Sequence, residues 1–236
     1  MSDQSFIGKG IMYLDGRDVG NVSNLEFSPQ YETKKLPNYR SSGGGSYNSL
    51  PRITSVELSC TLHDYSPENL SLALFGSATA YTGTTVTDEA QTTPADVSAD
   101  VLLLTDHVID TASTTTVTGY TEGTDFTVTA AGILILAAGS IPASTALAIS
   151  YTSKSSNVIE ALVTSAQEFL LAFDGVNEAQ NDTPFVARVY RAKFSPTDTL
   201  AVIGDEFGEV QLVAELLADT SITTSGLSQY FKIDQA

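Results

Sequence analysis

The strictest constraint on this chain is the alternation in Ser55–His63. Val56, Leu58, Cys60 and Leu62 fall on one side of an extended chain, and Ser55, Glu57, Ser59, Thr61 and His63 on the other. A period of two marks a strand with one face in a core and the other in water. The same chemistry recurs. Ile7–Leu14 ends in Asp15-Gly16, a two-residue hairpin signal. Arg17–Thr33 reads as a long bent strand. Gln167–Phe173 and Phe185–Phe194 read as a pair joined by Asp174-Gly175-Val176-Asn177 and a polar loop, and Gly208–Ala218 as a final long strand. Helical signals are few. Ser66 can cap free amides, Pro67 suits a first helical position, Leu70, Leu72, Ala73, Leu74 and Phe75 supply an apolar surface, and Gly76 is placed to end the helix. Ser195-Pro196-Thr197-Asp198 repeats that start and predicts a short helix over 196–203. The expected fold class is mainly β with a flanking short helix.

Charge divides the chain. It carries 11 basic and 28 acidic residues, a formal charge of -17, and no Lys or Arg between Ile53 and Ser153. A protein that grips nucleic-acid phosphates needs the opposite sign. A surface past which DNA must slide without sticking tolerates this one, as does any acidic surface kept for solubility. The shift in composition predicts a separate acidic β module at 81–153, inserted into a core made of 1–80 and 154–236. Within it Thr114–Thr118, Asp125–Thr129, Ile133–Leu136 and Ala146–Tyr151 are strand-like and punctuated by Gly119, Gly123, Gly132, Gly139 and Pro142. Such spacing suits a small Ig-like sandwich.

Basic residues gather instead in Lys34–Pro51, where Gly43-Gly44-Gly45 lies between Pro37 and Pro51. That composition predicts a long loop. It holds Lys34, Lys35 and Arg40, with Arg52 just beyond, and Tyr39 and Tyr47. Two readings are open: a solvated floppy loop, or an arm that orders against an acidic partner. The tail, 219–236, is polar apart from Tyr230-Phe231 and Ile233, which suit a terminal docking segment, although fraying is the default for a terminus.

Chemistry of the catalytic kind finds little purchase. Nucleophile-elbow, P-loop, HExxH and dinucleotide patterns are absent. The two histidines, His63 and His107, fall in different modules, and Asp106-His107 are neighbours that a strand would point apart. No catalytic residue, metal ligand or cofactor is expected. Cys60 is the one cysteine, so it makes no intrachain disulfide, and its place in the alternation marks a small buried hydrophobe. No apolar run nears the roughly 20 residues of a membrane helix. Met1-Ser2-Asp3-Gln4 lacks a leader's basic and apolar regions, so synthesis in a cytosol and no membrane insertion are expected.

Several stretches carry a resemblance. Gly8-Lys9-Gly10-Ile11-Met12-Tyr13-Leu14-Asp15-Gly16, then a long bent strand and a Gly-rich loop, then Arg52–Leu62 and Ser66–Gly76, resemble the first half of the major tail tube proteins of long-tailed bacteriophages. Phe173–Asn177 and Val189–Pro196 resemble their second half. Tyr120–Val128, with Gly132-Ile133 and Gly139-Ser140-Ile141, is similar to a small β domain inserted in many of them. The resemblance implies a β-sandwich core whose sheets join in a hexameric ring to form an inner β-barrel, and rings stacked into a hollow conduit for DNA ejection. It implies the copies themselves as partners, together with tape measure, tail terminator and tail-tip proteins, and phage DNA in transit without specific binding. It gives the loop residues Lys34, Lys35, Tyr39, Arg40, Tyr47 and Arg52 an inter-ring stacking role, and Tyr230, Phe231 and Ile233 a docking role. Ser55, Glu57, Ser59 and Thr61 would face the lumen or the outer surface, the insert would lie outside, and the mature location would be the virion tail. A secretion-type or contractile-tail inner tube, an adhesin-like binding sandwich and, weakest, an esterase-like β enzyme are the competing expectations.

Overall fold

A computed structural model describes residues 5–40 and 42–236. Met1–Gln4, on which the leader expectation rests, and Ser41 of the Gly-rich segment lie outside the described residues. The chain forms two compact units, one of 1–78 with 159–236 and one of 79–158. In chain order the elements are β1 (Gly8–Leu14), β2 (Arg17–Asp18), β3 (Val22–Pro37), β4 (Ser46–Leu62), α1 (Pro67–Ala73), β5 (Ser77–Tyr81), β6 (Thr85–Thr92), β7 (Val101–Leu104), β8 (Thr116–Val117), β9 (Phe126–Thr129), β10 (Gly132–Ile135), β11 (Ala146–Thr152), β12 (Ser156–Glu160), β13 (Glu168–Asn177), β14 (Thr183–Phe194), β15 (Val210–Leu216) and β16 (Phe231–Gln235). The fold is mainly β.

The first unit is built on one antiparallel sheet in the order β2-β1-β13-β14-β15-β4-β3, with β16 also on β14. β14 is the hub. β13 lies along one side of it; on the other, β15 takes Ala192–Phe194 and β16 takes Phe185–Val189. The alternation decides the buried face. Val56, Leu58, Cys60 and Leu62 of β4 join Val210, Leu212, Ala214 and Leu216 of β15, Met12 and Leu14 of β1, Leu171 of β13 and Ala73 of α1 in one core. Burial pushes the Cys60 thiol up to about 12, as a small apolar side chain in that core requires.

α1 starts as expected. The Ser66 hydroxyl accepts from the Asn69 N–H at 3.1 Å, and Pro67 opens the first turn. Its end differs. Phe75, not Gly76, adopts the left-handed conformation (φ 48°). Gly76 is needed because a Cβ there would lie 2.5 Å from the Glu160 carbonyl oxygen.

Four other expectations are corrected. Residues 196–203 are not helical: the Thr197 N–H donates to the Ala73 carbonyl at 2.8 Å, and the contiguous run Leu200–Ile203 offers no stripe at helical spacing. Asp174–Asn177 continues β13 rather than turning, and the turn falls at 178–182, where Asn181 and Asp182 take positive φ. Gly208–Ala218 shrinks to β15 and is not the last strand, because β16 follows. The long loop expected at Lys34–Pro51 is mostly paired: β3 and β4 run antiparallel out to Pro37↔Ser46, leaving only Asn38–Gly45 as the turn. Pro37 and Pro51 signal loop because proline cannot donate to a ladder. Here β4 pairs with β15 only at Glu57–Leu62, so both strands are edges further out and a proline N has no partner to miss.

The second unit is a small sandwich of two three-stranded sheets, β7-β10-β9 and β6-β11-β8. Phe126, Ile133 and Ile135 from the first sheet meet Val117, Leu147, Ile149 and Tyr151 from the second. β6, Thr-Val-Thr-Asp-Glu-Ala-Gln-Thr, is too polar to read as a strand, yet it pairs with β11 from Thr85↔Thr152 to Thr92↔Ala146. β5 and β12, in which the chain leaves and re-enters the first unit, pair with each other.

Candidate functional site

The β3–β4 hairpin changes character along its length. Up to Phe27 on β3 and from Ser55 on β4, the apolar face packs on the core, buried at Val56, Leu58, Cys60 and Leu62 and half-buried at Val22, Leu25 and Phe27. Beyond that, residues 28–37 and 46–54 are all exposed. This outer half is a two-stranded arm roughly 30 Å long at about 3.4 Å per residue. On one face Tyr31 opposes Ile53 and Lys35 opposes Ser49; on the other Glu32 opposes Arg52 and Lys34 opposes Leu50. Its tip is shaped by Asn38, whose N–H donates to the Gly45 carbonyl (2.8 Å) and whose side-chain oxygen accepts from the Arg40 N–H (2.9 Å), with Gly44 and Gly45 at positive φ. The structure therefore gathers Lys34, Lys35, Tyr39, Arg40, Tyr47 and Arg52 on one projecting element. Tyr39 is 84% exposed and Ile53 64%.

Ser55, Glu57, Ser59 and Thr61 lie on the outer face of the sheet, behind the buried row. Glu57 directly opposes Glu215 of β15, and Glu215 in turn opposes Lys193 of β14. Glu26 and Gln211 extend this polar face on either side, opposite Ser59 and Thr61. His63, at its edge, shares a 2.8 Å hydrogen bond with the Ser23 hydroxyl.

The expected terminal docking segment is divided. Tyr230 and Phe231 pack on their own core, Phe231 stacked on Phe27 at 4.9 Å between ring centroids, because β16 adds to β14. Ile233 stays exposed.

In the second unit the hydroxyl of Tyr151 donates to the Glu89 carboxylate at 2.6 Å, and Gln91 and the Asp106 N–H also donate to it. Burial works to raise Glu89, but these hydrogen bonds hold it below the usual carboxylate range, while burial and Glu89 push Tyr151 up to about 12. His107 stacks on Tyr81 at 4.0 Å. Asp106 and His107 are thus each engaged by other groups. Among the described residues, no group of three or more His, Cys, Asp and Glu is placed to hold a metal ion.

The chain belongs to the family described as protein of unknown function UCP028589. The family's model covers residues 5–234 and so takes in both compact units. No curated protein matches the chain.

Within that shared span the structure adds a surface that sequence reasoning missed. Ala201–Glu209 forms a compact loop whose two ends are clasped by one side chain: the Tyr65 hydroxyl lies 3.2 Å from the Ala201 carbonyl oxygen and 3.1 Å from that of Glu209. The loop exposes Val202, Ile203 and Phe207 almost fully, beside Asp205, Glu206 and Glu209. The expectation of a helix hid it. The available signal was an apolar run bounded by glycines and acids, with no period that would bury it.

Proposed function

We propose that this protein is the structural subunit of a phage tail tube, forming hexameric rings that stack into a hollow conduit for DNA. The observation that carries the reading is the outer half of the β3–β4 hairpin. An isolated two-stranded ribbon is marginal in water. This one exposes large apolar side chains and carries four of the chain's 11 basic residues, in a protein of charge -17. An arm of that kind gains its stability from a partner surface, and the acidic body of another copy is the available one. The open outer edge of β3, and that of β1 ahead of its pairing with β2 at Tyr13 and Leu14, would be covered by neighbours in a ring, which removes the liability of unpaired strands. The polar face with Glu26, Glu57 and Glu215 suits a wall that must not hold phosphates.

Negative-stain electron microscopy of the purified protein over a range of concentrations tests this. Tubes or stacked rings with a central hole are the expected result. A protein that stays monomeric at every concentration, with a tail-tip nucleator added, overturns the reading and favours an adhesin-like binding sandwich.

A further inference from the structure

The arm and the clasped loop are complementary in both charge and polarity. From Ser28 to Thr54 the arm contains Lys34, Lys35, Arg40 and Arg52 and one acid, Glu32. From Ser195 to Glu209 the other segment contains Asp198, Asp205, Glu206 and Glu209 and no base. Each carries exposed large apolar side chains: Tyr39 and Tyr47 near the arm tip, Ile203 and Phe207 on the loop. Neither is covered within its own chain.

They also cannot meet within one chain. The loop leads into β15, and Val210 opposes Leu62 at the inner end of β4. The arm tip joins β4 at its other end, beside Ser46. The 17 residues of β4 separate them, roughly 50 Å at about 3.3 Å per residue. Two complementary patches at opposite ends of one long strand form a head-to-tail pair, and such heterologous contacts propagate into rings or filaments.

We infer that the Ala201–Glu209 loop is the receptor for the arm tip of a second copy of this chain. Arg40, Lys34 and Lys35 meet Asp205, Glu206 and Glu209, while the tip tyrosines cover Ile203 and Phe207. The inference rests on the self-assembly proposed above and names the receiving surface. The clasp by Tyr65 matters here, because it fixes the loop before docking and lowers the ordering cost of the contact.

Charge exchange tests it. One variant carries Lys34→Glu, Lys35→Glu and Arg40→Glu; a second carries Asp205→Lys, Glu206→Lys and Glu209→Lys. All six positions are exposed. Each variant alone sets like charge against like and raises the critical concentration for polymer formation at least ~10-fold, whereas an equimolar mixture restores it to within ~3-fold of the wild type. Sedimentation reads the polymer, and circular dichroism with thermal melting checks that each variant is folded. A loop variant that polymerises like the wild type overturns the receptor assignment and leaves the tube reading standing. So does a mixture of two folded variants that fails to polymerise. A wild-type chain that never polymerises overturns the tube reading, and this inference with it.

Discussion

The inner and outer halves of the β3–β4 hairpin are made by the same two strands and obey different rules. In the inner half, apolar residues alternate with polar ones and one face is sealed in the core; Leu58 has no exposed surface. In the outer half, apolar residues stand on both faces, and every described residue is exposed. Ile53 in the outer half and Val56 in the inner one are equally good strand formers, although the outer half also carries Pro29, Pro37 and Pro51. The difference lies in what covers them: the inner half is sealed by the core of its own chain, and nothing in the chain covers the outer half.

The comparison breaks most visibly if the arm is cut. Deleting Ser42–Ser49 leaves a folded, soluble protein that melts at the wild-type temperature and forms no long polymers, as measured by electron microscopy and calorimetry. Normal tubes from this variant would remove the distinction between the halves. Next in size are two truncations on β4. Leu58→Ala costs roughly 2–5 kcal/mol in urea unfolding, because it leaves a cavity in a closed core. Ile53→Ala stays within about 0.5 kcal/mol, because nothing in its own chain covers it.

A polar counterpart sharpens the same point in the 79–158 unit, where Glu89 and Tyr151 satisfy each other internally. Tyr151→Phe costs roughly 1–3 kcal/mol there. The pH dependence follows from the directions of the shifts. Tyr151 is raised, so its contribution is complete below its ordinary value of 10.0 and is lost as pH climbs towards about 12. Glu89 is lowered, so its contribution is present above its ordinary value of 4.5 and is lost as pH falls through the depressed one. Thermal melting between pH 9 and 12, wild type against Tyr151→Phe, isolates the tyrosine, because the variant keeps the alkaline loss from Cys60 and lacks only that of Tyr151. The smallest effect lies where the hairpin halves meet. Glu57 faces Glu215 directly, and Glu57→Gln stabilises the monomer by ~0.2–1 kcal/mol, measured by the same urea titration.

Much of this was legible in the residues. The alternation at Ser55–His63 identified the buried row of β4, and Ser66-Pro67 identified the start of α1, because each rests on a contact a few residues away. What failed was information held at a distance. Pro37 and Pro51 signalled a loop, yet edge strands accept proline, and which strands are edges is a property of the whole sheet. Tyr230 and Phe231 looked like free aromatics at a polar end until β16 paired with β14. Ser195-Pro196 carries a helix start without a stripe to bury, and the chain spends the Thr197 N–H on Ala73 instead. The candidate arm residues were grouped by composition alone; that they lie on a paired ribbon, with the acidic loop at the far end of β4, needed the register of β4 with β3 and β15.

The paired crossing strands have one more consequence. β5 and β12 run side by side, and Thr85 still opposes Thr152 where the sandwich begins. The sandwich is therefore plugged into its host through two adjacent wires, a socket rather than a splice. Any foreign domain with neighbouring ends could be seated there without disturbing the chain on either side.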